Sequence, residues 1–266
     1  GWSKESLIPK EPTPLAGYGA RKGAYYEGID DSIFVKAVVF DNNQSNAAYV
    51  SMDLLIVPPN LDQNKILNSL SFKIDNLYLT ASHTHSSIGG YLTGLAGKIF
   101  GGEYDEKVLE LISRKTIDAL ESAYRKREKS KIGYGKIYAA DYVTNRLVGD
   151  SIGTYDPFIR ILKINTESGK NSIIFSYAAH ATCYGHKQKN LSGDYPGKLT
   201  SLLEKTNEID FAVYGAGAVG SMSPRTRSNE GIKRIQEIST GLFEKIYDGF
   251  RIMGAKYETK LIMIVP

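Results

Sequence analysis

All four histidines of this 266-residue chain fall in two short windows, Ser82-His83-Thr84-His85-Ser86 and His180-Ala-Thr-Cys-Tyr-Gly-His186. Neutral imidazole is the commonest metal ligand and titrates nearest to neutrality, so clustering of so scarce a residue marks a candidate centre. A catalytic zinc takes about three protein ligands and keeps one position open. Two segments that each deliver a histidine supply part of that set. In the strand-like run that starts at Leu77, side chains alternate between faces, and His83 and His85 continue the face of Leu77, Leu79 and Ala81. On an extended chain the two rings stand about 7 Å apart, near enough to share one metal or to supply one ligand and one acid/base group. Hydrogen-bonded surface or core histidines are the plain alternative. The His-x-His spacing, with a second histidine window in the same chain, outweighs it.

These side chains need a scaffold. Runs rich in Val, Ile and Tyr predict strands at 33–40, 47–56, 76–82, 131–139, 158–165, 172–179 and 211–214. Helical spacing of Val108, Leu111, Ile112, Ile117, Leu120 and Tyr124 predicts the longest helix, over 103–129. Further helices are expected at 61–70, after Pro196, and at 230–250. Strands and helices are interleaved, which predicts an α/β fold: a central mixed or parallel sheet flanked by helices. No internal repeat, low-complexity linker or domain boundary is visible, so residues 1–266 read as a single domain. Ser86-Ser-Ile-Gly89-Gly90 forms an open loop at a strand end, where α/β proteins place ligands.

Composition excludes several classes. With 42% hydrophobic and 23% charged residues the chain is an ordinary globular sequence. No run approaches the roughly 20 apolar residues of a membrane span. The one dense basic run, 124–131, closes a predicted helix, where cations complement the dipole. No aromatic platform or second basic stripe accompanies it, so a nucleic-acid partner is not expected. The single cysteine, Cys183, rules out an internal disulfide and reads as a small buried hydrophobe.

The residues resemble a known family, the neutral/alkaline non-lysosomal ceramidases. Ala81-Ser-His-Thr-His-Ser-Ser-Ile-Gly-Gly90 is similar to that family's His-Thr-His-Ser-Gly-Pro-Gly-Gly segment, and Ala179-His180-Ala-Thr to its second zinc-histidine segment. Leu191-Ser-Gly-Asp-Tyr-Pro-Gly197 resembles its Ser-Gly-Asp stretch, and Gly217-Ala-Val-Gly-Ser-Met-Ser-Pro224 its Asn-x-Gly-Asp-Val-Ser-Pro. Thr144-Asn145-Arg146 resembles its Asn-Arg pair, while Gly17-Tyr18-Gly19 and Val50-Ser-Met-Asp53-Leu fit its opening strands. The resemblance implies zinc as cofactor, with His83 and His180 as ligands and His85 beside the metal as an acid/base group. It implies Ser223 as the active-site serine and Arg146 as a substrate contact. The implied reaction is hydrolysis of an N-acyl bond by zinc-activated water, with Ser223 either attacking or stabilising the transition state. A ceramide-like lipid amide would be the substrate, within sphingolipid metabolism, with at most peripheral membrane contact. Export to the periplasm, cell surface or exterior is implied too, although no signal segment is visible.

Two departures qualify the match. Ser221 stands where the family has an aspartate, and the family's glutamate and tyrosine zinc ligands lie in segments beyond its serine motif, for which this chain has no counterpart. His85, His186 and Asp194 are candidates to complete the ligand set. The alternatives are a fragment, a compact enzyme, or an inactive module that binds without catalysis. A dinucleotide site is the remaining reading, because Gly215-Ala-Gly217-Ala-Val-Gly220 matches G-x-G-x-x-G formally. Pro224 and a polar run follow where a phosphate-binding helix should start, so the glycines are expected to allow close backbone approach instead.

Overall fold

The computed structural model describes residues 1–229 and 231–258. In chain order the first half contains β1 (Trp2–Ser6), β2 (Gly28–Ile29), β3 (Phe34–Asp41), β4 (Asn46–Met52), α1 (Gln63–Asn68), β5 (Asn76–Ala81), α2 (Gly94–Gly101) and α3 (Glu106–Arg125). The second contains β6 (Ser130–Tyr138), β7 (Val143–Asn145), β8 (Phe158–Thr166), β9 (Asn171–Tyr177), β10 (Asn190–Leu191), α4 (Asp194–Glu204), β11 (Phe211–Ala216), β12 (Met222–Pro224) and α5 (Gly231–Ile252).

The α/β expectation holds, and the sheet is mixed. There are two four-stranded sheets, however, rather than one. In the first, β1, β3 and β4 run antiparallel and β5 lies parallel to β4. In the second, β6, β8 and β9 run antiparallel and β11 lies parallel to β9. The two halves thus share one wiring although no sequence repeat announces it. Sheet wiring depends on the order of strand and helix signals, and those can recur without residue identity.

Period-two alternation builds the layers. Val35, Ala37, Val39, Ala48, Val50 and Met52 face one core with Val108, Ile112, Ala119 and Leu120 of α3. Ile159, Ile161, Ile173, Phe175 and Tyr177 face another with α4 and α5. The intervening positions, Val38, Ile164, Ile174, Phe211 and Val213, form a thin third core where the sheets stack. The result is helix, sheet, sheet, helix. Polar ties join the sheets as well: Ser51 Oγ of β4 donates to the Tyr214 carbonyl of β11 at 2.5 Å. At Gly215 an added Cβ would fall 2.1 Å from Tyr49 Oη, so glycine permits that close approach.

Elements the sequence did not show are β1, the short strand pairs, and α2, whose glycines gave no helical signal. The predicted strand 47–56 ends at Met52, and α4 begins two residues before Pro196. The predicted helix over 230–250 is α5; its residue 230 lies outside the described residues, as does the tail 260–266. The basic run is spent locally: Arg127 pairs with Asp41 and stacks on Tyr124, and Lys129 pairs with Glu167.

Candidate metal centre

The site forms where the carboxyl ends of two parallel strand pairs meet, β4 with β5 and β9 with β11, the position where α/β sheets place ligands. His83 and His85 follow β5, and His180 follows β9. The sequence reading needed His83 and His85 to continue a pleat, but β5 stops at Ala81. His83 has φ +60, and this left-handed turn folds the two rings together. Their Nε2 atoms stand 3.4 Å apart instead of about 7 Å.

Three Nε2 atoms converge. His83 lies 3.0 Å from His180, and His180 lies 2.9 Å from His85. Nitrogens bound tetrahedrally to zinc at about 2.0–2.1 Å would be about 3.3 Å apart, so this triangle is close to one face of such a tetrahedron. Three neutral lone pairs at these distances repel unless a proton or cation lies between them. His83, His85 and His180 together could hold a metal ion.

The outer nitrogens fix two of the rings. His83 Nδ1 meets the Leu55 carbonyl at 2.6 Å, and His180 Nδ1 meets the Val219 carbonyl at 3.1 Å. Each carbonyl holds the proton on Nδ1 and leaves the Nε2 lone pair aimed inward. The acceptors are reciprocal: in each half the histidine follows one strand of the parallel pair and the carbonyl follows its neighbour. His85 differs. Its buried Nδ1 has no well-formed partner, and only the Gly17 backbone, imperfectly aligned, draws a proton toward it. Burial, and then the neighbouring His180 and His83, push His85 down to about 3. Burial takes His180 down to about 4 and lowers His83, and the Arg146 charge adds to both effects. All three rings are therefore neutral at neutral pH, the state a ligand requires.

Arg146 is exposed at the mouth. Its Nε and Nη2 both donate to the Gly220 carbonyl, at 3.0 and 2.8 Å. The glycine run thus serves as a backbone-lined wall, supplying the Val219 and Gly220 acceptors. Ser223 lies on β12 opposite Thr144 of β7, which places the serine and Arg146 on one small ribbon. Its flanking residues Met222 and Pro224 are buried, whereas Ser223 is half-buried. No hydrogen bond joins Ser223 to His85 or to another side chain among the described residues. Beyond Arg146 the chain turns through exposed Leu147 (70%), Val148 (56%) and Ile152 (82%). Asn145 Oδ1 holds this turn by accepting from Leu147 N and Val148 N.

Two candidates leave the ligand set. The buried Asp194 carboxylate accepts from the backbone N–H groups of Cys183, Tyr184 and Tyr195, so it shapes the loop after His180. His186 is exposed and outside the cluster, and its carbonyl accepts from Arg21. Cys183 is buried, and burial pushes its thiol up, which fits an inert hydrophobe. Tyr18 and Arg21, which pack behind His85, were missed as site residues. Gly17-Tyr18-Gly19 was legible only as a segment that fits the family's opening strands, and nothing in sequence marks Arg21.

Comparison with known proteins identifies the family and the fold. The family model described as neutral/alkaline non-lysosomal ceramidase, N-terminal, matches residues 9–238. Neutral ceramidase A of Dictyostelium discoideum is 24% identical over 247 residues, covering 82% of this chain and 34% of its own length. A solved ceramidase complexed with C2 superposes with a TM-score of 0.83 at 20% identity, covering 93% of this chain and 43% of that one. The neutral ceramidase from Pseudomonas aeruginosa gives 0.81 at 20% identity, with 93% and 44% covered. The chain thus spans about a third of the curated relative and under half of each solved structure. On the family match, the protein belongs to the neutral/alkaline non-lysosomal ceramidases, through that family's N-terminal part.

Proposed function

We propose that this chain carries the metal-binding part of a zinc-dependent hydrolase of N-acyl bonds, with a ceramide-like lipid amide as the first candidate substrate. The observation that supports it most is the convergence of three imidazole nitrogens from two sheets within 3.4 Å. His83 and His180 are the ligands, because their carbonyl-anchored Nδ1 atoms fix the tautomer a metal needs. His85, whose Nδ1 lacks such a carbonyl anchor, is the acid/base group beside the metal. When bound, zinc supplies Lewis-acid polarisation of the scissile carbonyl and lowers the pKa of a bound water towards about 7. Arg146, at the mouth, orients the substrate's polar end. Ser223 offers a hydroxyl on the same ribbon, to attack or to donate to developing negative charge. Leu147, Val148 and Ile152 expose aliphatic side chains in the turn that follows Arg146, which suits an amphiphilic substrate met at a lipid surface. Action outside the cytoplasm goes with this reading. No helix among the described residues is long and apolar enough to cross a membrane.

A non-catalytic binding module is the second reading. Ser223 without a hydrogen-bonded base, and Ser221 at the family's aspartate position, favour it. Bound zinc and short-chain ceramide hydrolysis should be measured together for wild type, His83→Ala, His180→Ala and His85→Ala. We expect about one zinc per chain, lost in the first two variants and retained in His85→Ala, which loses turnover. Zinc bound normally with no hydrolysis of any N-acyl substrate would favour the binding module. No zinc after reconstitution would sink the metal assignment.

A further inference from the structure

His83 and His180 are held by hydrogen bonds on their outer nitrogens, but His85 is not, and yet its Nε2 lies as close to the centre as theirs. Something else must fix that ring. Gly17, with φ +119, packs so closely that an added Cβ would lie 2.6 Å from both Cα and Cβ of His85. The Tyr18 ring sits 4.9 Å from the His85 ring, tilted by 54°, and Tyr18 Oη donates to the Tyr184 carbonyl at 2.6 Å. Arg21 lies beneath, its guanidinium carbon 4.8 Å from the Tyr18 ring centroid.

Arg21 is buried, and no salt bridge to a carboxylate involves it among the described residues. Its donors go almost entirely to backbone carbonyls from three segments. Nη1 donates to Ala16 at 3.0 Å and to His85 at 2.5 Å. Nε reaches the His186 carbonyl at 3.2 Å, and Nη2 reaches Gly185 at 3.5 Å and Ser86 Oγ at 3.3 Å. Only a guanidinium offers five N–H donors in one rigid plane, so lysine cannot copy the arrangement. On its other side, His85 N donates to the Ala181 carbonyl at 3.3 Å, one residue past His180. The backbone of His85 is thus stitched to the loop after His180 from both ends.

We infer that Arg21 and Tyr18 form a clamp that positions His85 against the His83–His180 pair, with Arg21 as a positioning residue for the proposed reaction. Arg21 makes no hydrogen bond to an imidazole nitrogen of the centre; it acts through the His85 carbonyl and the loop it holds. The kinetic part of this inference rests on the proposed amide hydrolysis, and the positional part does not.

The test uses the full chain and Arg21→Gln, Arg21→Lys and Tyr18→Leu, with three readouts: zinc stoichiometry, ring resonances of 15N-labelled histidine, and steady-state kinetics on a short-chain N-acyl sphingosine. His85 resonances are assigned by their loss in His85→Ala. In Arg21→Gln we expect zinc still bound through His83 and His180, but His85 resonances broadened or split. We expect kcat to fall about 10–100-fold with KM little changed, the range typical of lost supporting contacts. Arg21→Lys should recover part of both effects, and Tyr18→Leu should disturb His85 similarly by removing the packing ring. A single sharp His85 resonance at its wild-type position in Arg21→Gln would overturn the clamp. Should Arg21→Gln fail to fold, Tyr18→Leu decides by the same criterion. If wild type hydrolyses nothing, the reaction assignment fails while the resonances still judge the clamp.

Discussion

At the residue scale, burial of three imidazoles has a cost that pH can expose. Free imidazole titrates near 6.5, whereas burial takes His180 to about 4 and His85 to about 3. Between these values the unfolded chain binds more protons than the folded one. Stability contributed above about 6.5 is therefore lost as pH falls through about 4 and 3. Asp31 runs the other way. Burial, offset partly by Ser192 Oγ and Gly193 N, raises it to about 6, so its contribution is present below about 4 and lost as pH rises through 6. In metal-free protein, thermal midpoints between pH 3 and 7 should fall on the acid side, and His85→Gln should flatten that fall. An unchanged slope would show that His85 is not held neutral by the fold. Sequence alone revealed which residues to watch, because four histidines in two windows are conspicuous. It could not show the +60 turn at His83, nor the Leu55 and Val219 carbonyls, since any residue supplies a carbonyl.

At the element scale, the site depends on how firmly β9 ends. Tyr195 of α4 donates to the Ala179 carbonyl at 2.5 Å and lies 2.8 Å from Tyr214 Oη, which in turn donates to the Tyr177 carbonyl at 2.9 Å. These buried hydroxyls pin the chain immediately before His180. Tyr195→Phe strips the Ala179 carbonyl of its donor, and should destabilise the fold by about 1–3 kcal/mol in urea unfolding. A change within error would mean that a water replaces the hydroxyl. The strands around this anchor were legible, since alternating Val, Ile and Phe residues are a strong signal. α2 was not: its Gly97 and Gly101 face inward against Leu92 while Leu95, Ile99 and Phe100 face out. Such an inverted helix defeats a rule that expects apolar residues inside.

At the scale of the whole molecule, a buried charge cluster joins the sheets beside the thin apolar layer and the Ser51–Tyr214 tie. Lys36 Nζ of β3 meets Glu204 Oε1 at 2.9 Å and the Ala212 carbonyl at 2.8 Å, and Lys4 meets Glu204 Oε2 at 2.6 Å. Burial lowers the Lys36 ammonium, and Glu204 opposes that shift. Glu204→Leu removes the salt-bridge partner of a buried cation, leaving it the Ala212 carbonyl and the nearby Asp53 charge, and should cost about 3–5 kcal/mol. Lys36→Met leaves Glu204 paired with Lys4 but takes a cation away from buried Asp53, and should cost less. Chemical denaturation giving the reverse order would refute this account of the joint. One sheet or two could not be read from sequence, because the residues that stack the sheets look like any other strand positions. The site itself straddles that joint, with His83 and His85 on one sheet and His180, 95 and 97 positions later, on the other. On a ribosome, which makes the first sheet before the second, the first two imidazoles emerge long before their partner. The centre thus cannot form before the second sheet is under way, and a nascent chain that has not yet reached His180 has nothing with which to close it.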